Sequence, residues 1–457
     1  MIGVSGCLGR ATLVILAFMA SLNSSNQAAA ETLFEALATA YETNPALRAA
    51  QARQRGVDEQ VPQALSGWRP KVTLQGSLKQ AWSDSTVTKE AETTASSVTI
   101  ELSQPVFRGF KTIYQTKFAE SNVEAGKQNL LAVEQNTIFQ AIRAYMDVIR
   151  DRQIFSLRLQ NVNYLRQQLK AATTRFAAGE VTRTDVAQSR ASAAEAQASA
   201  ASAQADLAAS IASFVRIVGR SPETLRYPKI PQLPGSLDEA QDLALTANPE
   251  LLAAAYVEEG ANYNIEVVKG DLLPDLYVSA SATATANPEG GVRSSHSMSI
   301  QGVLSIPLYE AGQVYSRVRQ SRQVASQHRL EVIQAARSVR EGVSNDWYFL
   351  EATRQKIQAG ESLVAANGQA LDGVKKEFQV GSRSTLDVLD AQGALISARI
   401  SLVSARRDQI VAAYQVLSAI GRLTARDLKL PVTYYDPDAN YLRVRGKWAG
   451  TDAKGAE

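Results

Sequence analysis

Apolar and polar positions along this chain follow two periodicities, and each regime occurs twice. In the first regime they alternate. Val72, Leu74, Gly76 and Leu78 share one face of the segment from Pro70 to Gln80, while Thr73, Gln75, Ser77 and Lys79 share the other. Val98, Ile100 and Leu102 alternate in the same way with Thr99, Glu101 and Ser103. Later, Leu276, Val278, Ala280 and Ala282 oppose Tyr277, Ser279, Ser281 and Thr283. Met298, Ile300, Gly302, Leu304 and Ile306 then oppose Ser297, Ser299, Gln301 and Ser305. A period of two is that of a strand. Strands are therefore predicted over about 70–83, 96–105, 274–285 and 296–306. One apolar face and one rich in hydroxyls and amides suits a barrel with lipid outside and water inside, although a half-buried soluble sheet alternates too. The polar stretches 83–97 and 285–295 are expected to be exposed loops.

The second regime has helical spacing. No proline interrupts the chain between Pro105 and Pro222, or between Pro307 and Pro431, and both runs are rich in residues that favour helix. Ile138, Ile142, Tyr145 and Ile149 recur at steps of three and four, as do Leu389, Ile396, Ile400, Val403, Ile410, Tyr414 and Leu417 at steps of three, four and seven. A helix from Val106 to Thr173 would be ~100 Å long at 1.5 Å per residue, far more than a globular core needs. A Phe-x-x-Gly segment breaks each run near its middle. Gly179 and Gly381 are suited to the left-handed turn that ends one helix, and Thr184 or Ser384 to capping the next. Helical hairpins are thus predicted over about 106–218, with a tip near 175–184, and about 308–420, with a tip near 377–386. The arm from Ala191 to Ala209 is nearly all Ala, Ser and Gln, which suits close lateral packing in a larger wall.

The two regimes repeat because the chain is duplicated. The Phe, Gly, Asp and Val of Phe176, Gly179, Asp185 and Val186 return at Phe378, Gly381, Asp387 and Val388, a shift of about 202 residues. A similar shift carries Asn44-Pro45 onto Asn248-Pro249, Pro70 onto Pro274 and Gly219 onto Gly421. Residues 31–220 form a first repeat and 237–423 a second. A linker at 221–236, with four prolines, joins them. Each repeat opens with a short helix that ends near Asn-Pro, since proline disfavours helix in the residue before it; Ser236 is a plausible cap for the second. The C-terminal tail, 424–457, is expected to be loose beyond Asp436.

Composition narrows the function. Charge is nearly balanced, at a formal +3, and basic residues form no run, so nothing indicates nucleic-acid binding. The two histidines, His296 and His328, stand apart without partner motifs. No Ser-His-Asp set, Gly-rich phosphate loop or metal cluster points to an enzyme or a cofactor. Residues 1–30 read as an export signal, with Arg10, the apolar stretch from Ala11 to Ala20, and Ala28-Ala29-Ala30 before Glu31. Cys7, the only cysteine, lies within it, so the exported chain has neither disulfide nor thiolate site. After the signal no run approaches the ~18 uninterrupted apolar residues of a transmembrane helix, which leaves strands as the means of entering a membrane.

Four strands cannot close a barrel, since known barrels start at eight, and an open sheet in lipid would leave two edges unsatisfied. The chain must share its barrel with copies of itself. Three chains would give twelve strands and two would give eight.

The duplication, the order of two strands then a hairpin, and above all the segment from Phe378 to Ala391 (FQVGSRSTLDVLDA) resemble the TolC family of outer-membrane efflux channels over roughly residues 31–430. The resemblance implies a mainly α homotrimer. Its twelve-stranded outer-membrane β-barrel would continue as an α-helical periplasmic tunnel, exporting drugs, small molecules or proteins. It implies docking to a periplasmic adaptor (membrane fusion) protein and an inner-membrane pump of RND or ABC type, as in tripartite efflux or type I secretion. It also implies a latch at the tips. Arg383 matches the gating arginine, Thr184 and Asp185 its partners, and Gln168, Phe378 and Arg406 further members. Phe378 stands where the best-known member has a tyrosine, and Lys375 replaces an acid. Asp387 and Asp390 match carboxylate rings that narrow the periplasmic aperture and attract cations. The alternative for Asp185, Asp387 and Asp390 is ordinary stabilisation of a helix N-terminus. A periplasmic adaptor or an envelope-spanning coiled-coil spacer is the rival function, but an adaptor needs only one hairpin and a spacer needs no lipid-facing strands.

Overall fold

The computed structural model describes residues 31–83, 91–288 and 292–453. The export signal at 1–30 lies outside them. Four strands form one antiparallel sheet in the order β1-β2-β3-β4: β1 Lys71–Ser83, β2 Ala91–Arg108, β3 Asp275–Ala286 and β4 Ser294–Ser305. The register places each face in phase across all four. Leu74, Ile100, Ala282 and Met298 form one apolar row, and Val72, Leu102, Ala280 and Ile300 the next. On the other face Thr73, Glu101, Ser281 and Ser299 align, and hydroxyl pairs link neighbouring strands: Ser77–Ser97 at 2.8 Å, Thr99–Thr283 at 3.0 Å and Ser281–Ser299 at 2.9 Å. Met298 and Ile300 are 89% and 81% exposed in the protomer. Such a face is stable only against an apolar medium. The 12 residues of β3 span ~40 Å, or ~28 Å at a 45° tilt, close to a bilayer's hydrocarbon thickness.

The strands run further than their alternation suggests. Pairing continues to Ser83↔Ala91 and Ala286↔Ser294, so 91–97 of the first expected loop is strand, while the loop expected at 285–295 is shortened only at its two ends. The hairpins correspondingly start later than 106 and 308. A register shift between Pro105 and Phe107 lets β2 continue to Arg108 before helix begins at Lys111. Gly109 and Phe110 both adopt left-handed conformations between them (φ 55° and 61°), and Ala311 and Gly312 do the same in the second repeat (φ 51° and 80°). At Gly109 a Cβ would lie 2.3 Å from the Gly270 carbonyl, so no side chain fits there.

Ten α-helices lie among the described residues, with two short 3-10 turns at Ser66–Trp68 and Gly270–Leu272: α1 Leu33–Thr43, α2 Pro45–Asp58, α3 Gln60–Leu65, α4 Lys111–Ala177, α5 Arg183–Val218, α6 Leu237–Ala247, α7 Pro249–Lys269, α8 Gln313–Gln379, α9 Thr385–Ala419 and α10 Pro437–Arg445. At 67 residues each, α4 and α8 are ~100 Å long. They are two rows of a wall four helices wide. The other two rows are each built from two pieces: α2–α3 with α5 flank α4 on one side, and α7 with α9 lie between α4 and α8.

Asn-Pro makes the joints in those composite rows. Sequence periodicity marks Asn44 and Asn248 as helix ends, but each also starts the next helix. The Asn248 side-chain oxygen accepts from the Glu250 and Leu251 amides (2.9 and 3.3 Å), capping α7, while its amide nitrogen donates to the Ala419 carbonyl at the end of α9 (3.0 Å). Asn44 repeats this, accepting from Ala46 (2.9 Å) and donating to Ile217 at the end of α5 (3.0 Å). Gly219 and Gly421 stop α5 and α9 in left-handed turns. A Cβ on Gly421 would sit 2.1 Å from the Ala247 carbonyl.

The main apolar core lies part-way along the wall rather than at either end. Here α1 and α6 pack on α4 and α8, around buried Leu37, Ile142, Tyr145, Phe214, Ile410 and Tyr414. Tyr145 donates to the carbonyl of Glu31 or Arg226 (2.8 and 2.7 Å), which a parallel bridge between Glu31 and Leu225 holds together. The 221–236 linker is thereby fastened across the first repeat. From Asp436 to residue 453 the chain is ordered, not loose: Asp436 caps α10, and Val444 is buried. Among the described helices only α9 is long and apolar enough to cross a membrane, but its Val388, Ile396 and Ile410 are buried by its neighbours.

Two outcomes follow for stability. Asn248→Ala removes a cap and leaves the Ala419 carbonyl without its donor. It should cost about 1–3 kcal/mol, seen as a lower thermal midpoint of the purified protein, with Asn44→Ala behaving alike. Asp346, on α8, accepts from Gln415 at 2.6 Å, and burial pushes its carboxyl up to about 6. The folded state therefore binds this proton more tightly than the unfolded state, and stability falls as pH rises from the ordinary Asp range through about 6. Asp346→Asn should raise the melting temperature at about pH 7.5 and change it far less at about pH 4.5.

Candidate functional site: the hairpin tips

The two tips have one backbone design. In the first, the Gly179 amide donates to Phe176 (3.0 Å) and the Glu180 amide to Arg175 (2.9 Å); in the second, Gly381 donates to Phe378 (3.1 Å) and Ser382 to Glu377 (3.0 Å). This paired closure requires a left-handed residue, and Gly179 and Gly381 have φ of 77° and 79°. The return helices begin with matching capping boxes. Thr182, not Thr184, caps α5: its hydroxyl accepts from the Asp185 amide (3.2 Å), and the Asp185 carboxylate accepts from the Thr182 amide (2.9 Å). Ser384 and Asp387 do the same for α9, at 3.2 and 2.9 Å. The 202-residue shift relates Thr182 to Ser384, and the Ser/Thr-x-x-Asp spacing was the signal for it. These bonds hold both carboxyls below the usual Asp range, so both are ionised at neutral pH.

Side chains, not backbone, distinguish the tips and tie them together. The Thr385 hydroxyl of the second tip is also near enough to the Asp185 carboxylate to lower its pKa slightly. Behind the tips, a crevice of about 320 Å³ separates α4 from α8 and α9 and is lined by Gln168, Tyr164, Arg175, Lys375, Phe378 and Thr385. Two cation–π contacts cross it in opposite senses. The Arg175 guanidinium of α4 lies 4.9 Å from the Phe378 ring of α8, and the Lys375 ammonium of α8 lies 4.6 Å from the Tyr164 ring of α4. Further along, Gln392 of α9 donates to Asn161 of α4 at 3.0 Å, both buried. Phe378 and Lys375 thus form apolar and cationic links where a tyrosine and an acid would form polar ones. Arg175, Tyr164, Asn161, Thr385 and Gln392 were not distinguishable in sequence, because cross-helix pairing has no linear spacing.

Other expected members lie elsewhere within the protomer. Arg383 does not meet Thr184 or Asp185; it donates to Glu377 of its own tip at 2.8 Å, with both side chains half exposed. Arg406 is 21 residues past the start of α9, ~30 Å from the tip by helical rise. It pairs with Glu361 of the same hairpin (2.9 Å), and its carbonyl accepts from Tyr227 of the linker (2.8 Å). The next residue, Arg407, does bridge the two hairpins, reaching Asp147 of α4 at 2.8 Å beside Arg150. Asp390 lines a second crevice, of about 300 Å³, with Arg158, Asn161, Glu195 and Gln392. Among the described residues no group of acidic or histidine side chains is arranged to hold a metal ion.

A sheet with a lipid-facing side, continued by a helical wall that ends in tied tips, is one protomer's share of a membrane channel. The chain belongs to the outer membrane efflux protein family, whose pattern it matches over residues 18–220 and 240–422. It is 39% identical to the outer membrane efflux protein BepC of Brucella suis biovar 1, over 93% of this chain and 92% of that protein. It is 26% identical to the outer membrane protein TolC of Escherichia coli K12, over 91% and 87%. Its fold superposes on the CmeC outer membrane channel of Campylobacter jejuni with a TM-score of 0.78, covering 91% of this chain and 89% of that one at 13% identity. The protein is an outer-membrane channel with a periplasmic tunnel, the exit duct of an efflux or secretion system. Family members act as trimers in tripartite pumps and secretion systems.

The two cation–π contacts carry a direct expectation. Removing the first, as in Arg175→Gln or Phe378→Leu, should weaken the tie between the hairpins at the tips by about 0.5–1 kcal/mol. Where that tie opposes opening of the duct, the change is a roughly two- to five-fold shift in the open-to-closed ratio, read as a higher open probability in planar bilayers, with Arg190→Gln as a control.

Proposed function

We propose that the tips form the regulated entrance of the duct, closed at rest and opened when a partner competes for the contacts between hairpins. The reading rests on one observation: the tips share one backbone design but differ in the side chains that cross between them. Contacts such as Arg175 to Phe378 and Lys375 to Tyr164 are individually weak and only partly buried, so they exchange readily for a partner's contacts. Arg383, with its guanidinium half exposed, is placed to serve a neighbouring protomer in a homotrimer, where Thr184 and Asp185 of the adjacent first tip are its expected partners. Asp387 and Asp390 sit one turn apart on the exposed start of α9. Threefold repetition would bring six carboxylates to one aperture, which would repel one another and attract cations. Gln168, Phe378 and Arg406 then belong to successive levels of the same closure, with Arg406 furthest from the entrance. The opening partner is a periplasmic adaptor coupled to an inner-membrane pump of RND or ABC type. Cargo selection belongs to that pump, since a wall rich in Ser, Thr, Gln and Ala offers no selective pocket.

Arg383→Ser should raise single-channel conductance in planar bilayers, and Asp387→Ala with Asp390→Ala should abolish block by a trivalent cation such as hexamminecobalt(III). Unchanged conductance would remove Arg383 from the closure, and persistent block would place the cation site elsewhere.

A further inference from the structure

The channel reading leaves the C-terminal segment without a role, yet the fold holds it firmly. α10 is strapped to α2, α3 and α4 on the first repeat. Asn440 donates to Asp58 at 2.7 Å, Arg445 pairs with Glu120 at 2.9 Å, Lys127 binds Asp438, and Val444 is buried. The strap points towards the barrel. Arg69 lies two residues before β1 begins at Lys71; it donates to the Lys447 carbonyl at 2.8 Å and covers the Trp448 indole at 4.9 Å. Trp448 is nevertheless 70% exposed. Through Arg69 it is tied to the chain three residues before Val72, the first residue of the apolar face of β1.

Charge around this indole is predominantly positive. Arg69 lies against it and Arg443 and Lys447 precede it in sequence. Among the described residues no carboxylate forms an ion pair with Arg69 or Arg443; Asp452 binds Lys447 at 2.7 Å and is also attracted by Arg443. Glu120 and Asp438 are engaged by Arg445 and Lys127. An amphipathic aromatic ring amid surplus cations, continuous with a lipid-facing band, has the chemistry of a bilayer interface. There indoles settle at headgroup depth and cations meet phosphate.

We propose that the C-terminal strap is a membrane foot, with Trp448 seated in the periplasmic leaflet and Arg69 and Arg443 facing the phosphates of anionic phospholipids. The foot fixes the height of the helical wall against the bilayer from outside the barrel. It requires only the barrel's membrane insertion, not the gating of the tips.

The full-length protein, reconstituted in liposomes, tests this by the difference in emission between wild type and Trp448→Phe, which isolates Trp448 from the other three tryptophans. The expected result is blue-shifted Trp448 emission, quenched by phospholipid brominated near the headgroup and protected from aqueous acrylamide. Quenching should grow when phosphatidylglycerol replaces phosphatidylcholine, and less so in Arg443→Gln. Quenching by acrylamide but not by brominated lipid would overturn the proposal by placing the indole in water. Resistance to both quenchers would overturn it by placing the indole against another protomer, and indifference to phosphatidylglycerol would overturn the anionic-headgroup assignment. Ion conductance through the same liposomes distinguishes failure of the foot from failure of insertion.

Discussion

The need of every backbone amide and carbonyl in lipid for a hydrogen-bond partner governs this protein. Each protomer supplies four strands in simple up-and-down order, and β1 and β4 present free edges on a sheet whose apolar face has nothing in the protomer to cover it. Hydrocarbon cannot satisfy such edges, so the sheet is complete only when other copies close it. Assembly is therefore part of the fold. The trimeric habit of the family follows the same constraint, since four strands per chain give a barrel only in multiples.

Below the membrane the constraint changes from hydrogen bonding to length. A wall ~100 Å long cannot be stabilised by a central globule, and the protein meets this by duplicating a unit and splicing short helices onto long ones. Asn44 and Asn248 each cap one helix and satisfy the last carbonyls of another. Two of the four rows thus remain continuous in packing while the chain enters and leaves them. Stability is concentrated part-way along, where α1, α6 and the linker wrap the wall around Tyr145 and Tyr414. The tips, far from that core, rely on caps and exposed contacts, so the least strongly held part of the protomer is the part proposed to move.

Most of the architecture was legible in the chain. Alternation located the strands, the proline-free runs and helical spacing indicated the hairpins, and Gly179 and Gly381 marked the turns. Boundaries were less legible: β2 reaches Arg108 because a bulge and two left-handed residues postpone the helix, and local periodicity carries no sign of either. The tail was misread because α10 is polar in composition. It is ordered by salt bridges to helices about three hundred residues earlier, such as Arg445 to Glu120.

The site divides along the same line. Glycine placement and the Ser/Thr-x-x-Asp boxes are local chemistry, so sequence sufficed to find the tips and, through the duplication, their likeness; only the choice of Thr184 over Thr182 was wrong. Which side chains meet across the hairpins is a matter of helix rotation and register over ~100 Å of packed wall. Small changes in either exchange one partner for another. Only the tertiary structure could therefore place Arg175 on Phe378, Lys375 on Tyr164 and Arg407, rather than Arg406, on Asp147. Local patterns prescribe the strands, helices and turns because each depends on a few neighbouring residues. The contacts proposed to hold the duct closed depend on residues some two hundred positions apart, brought together by packing alone.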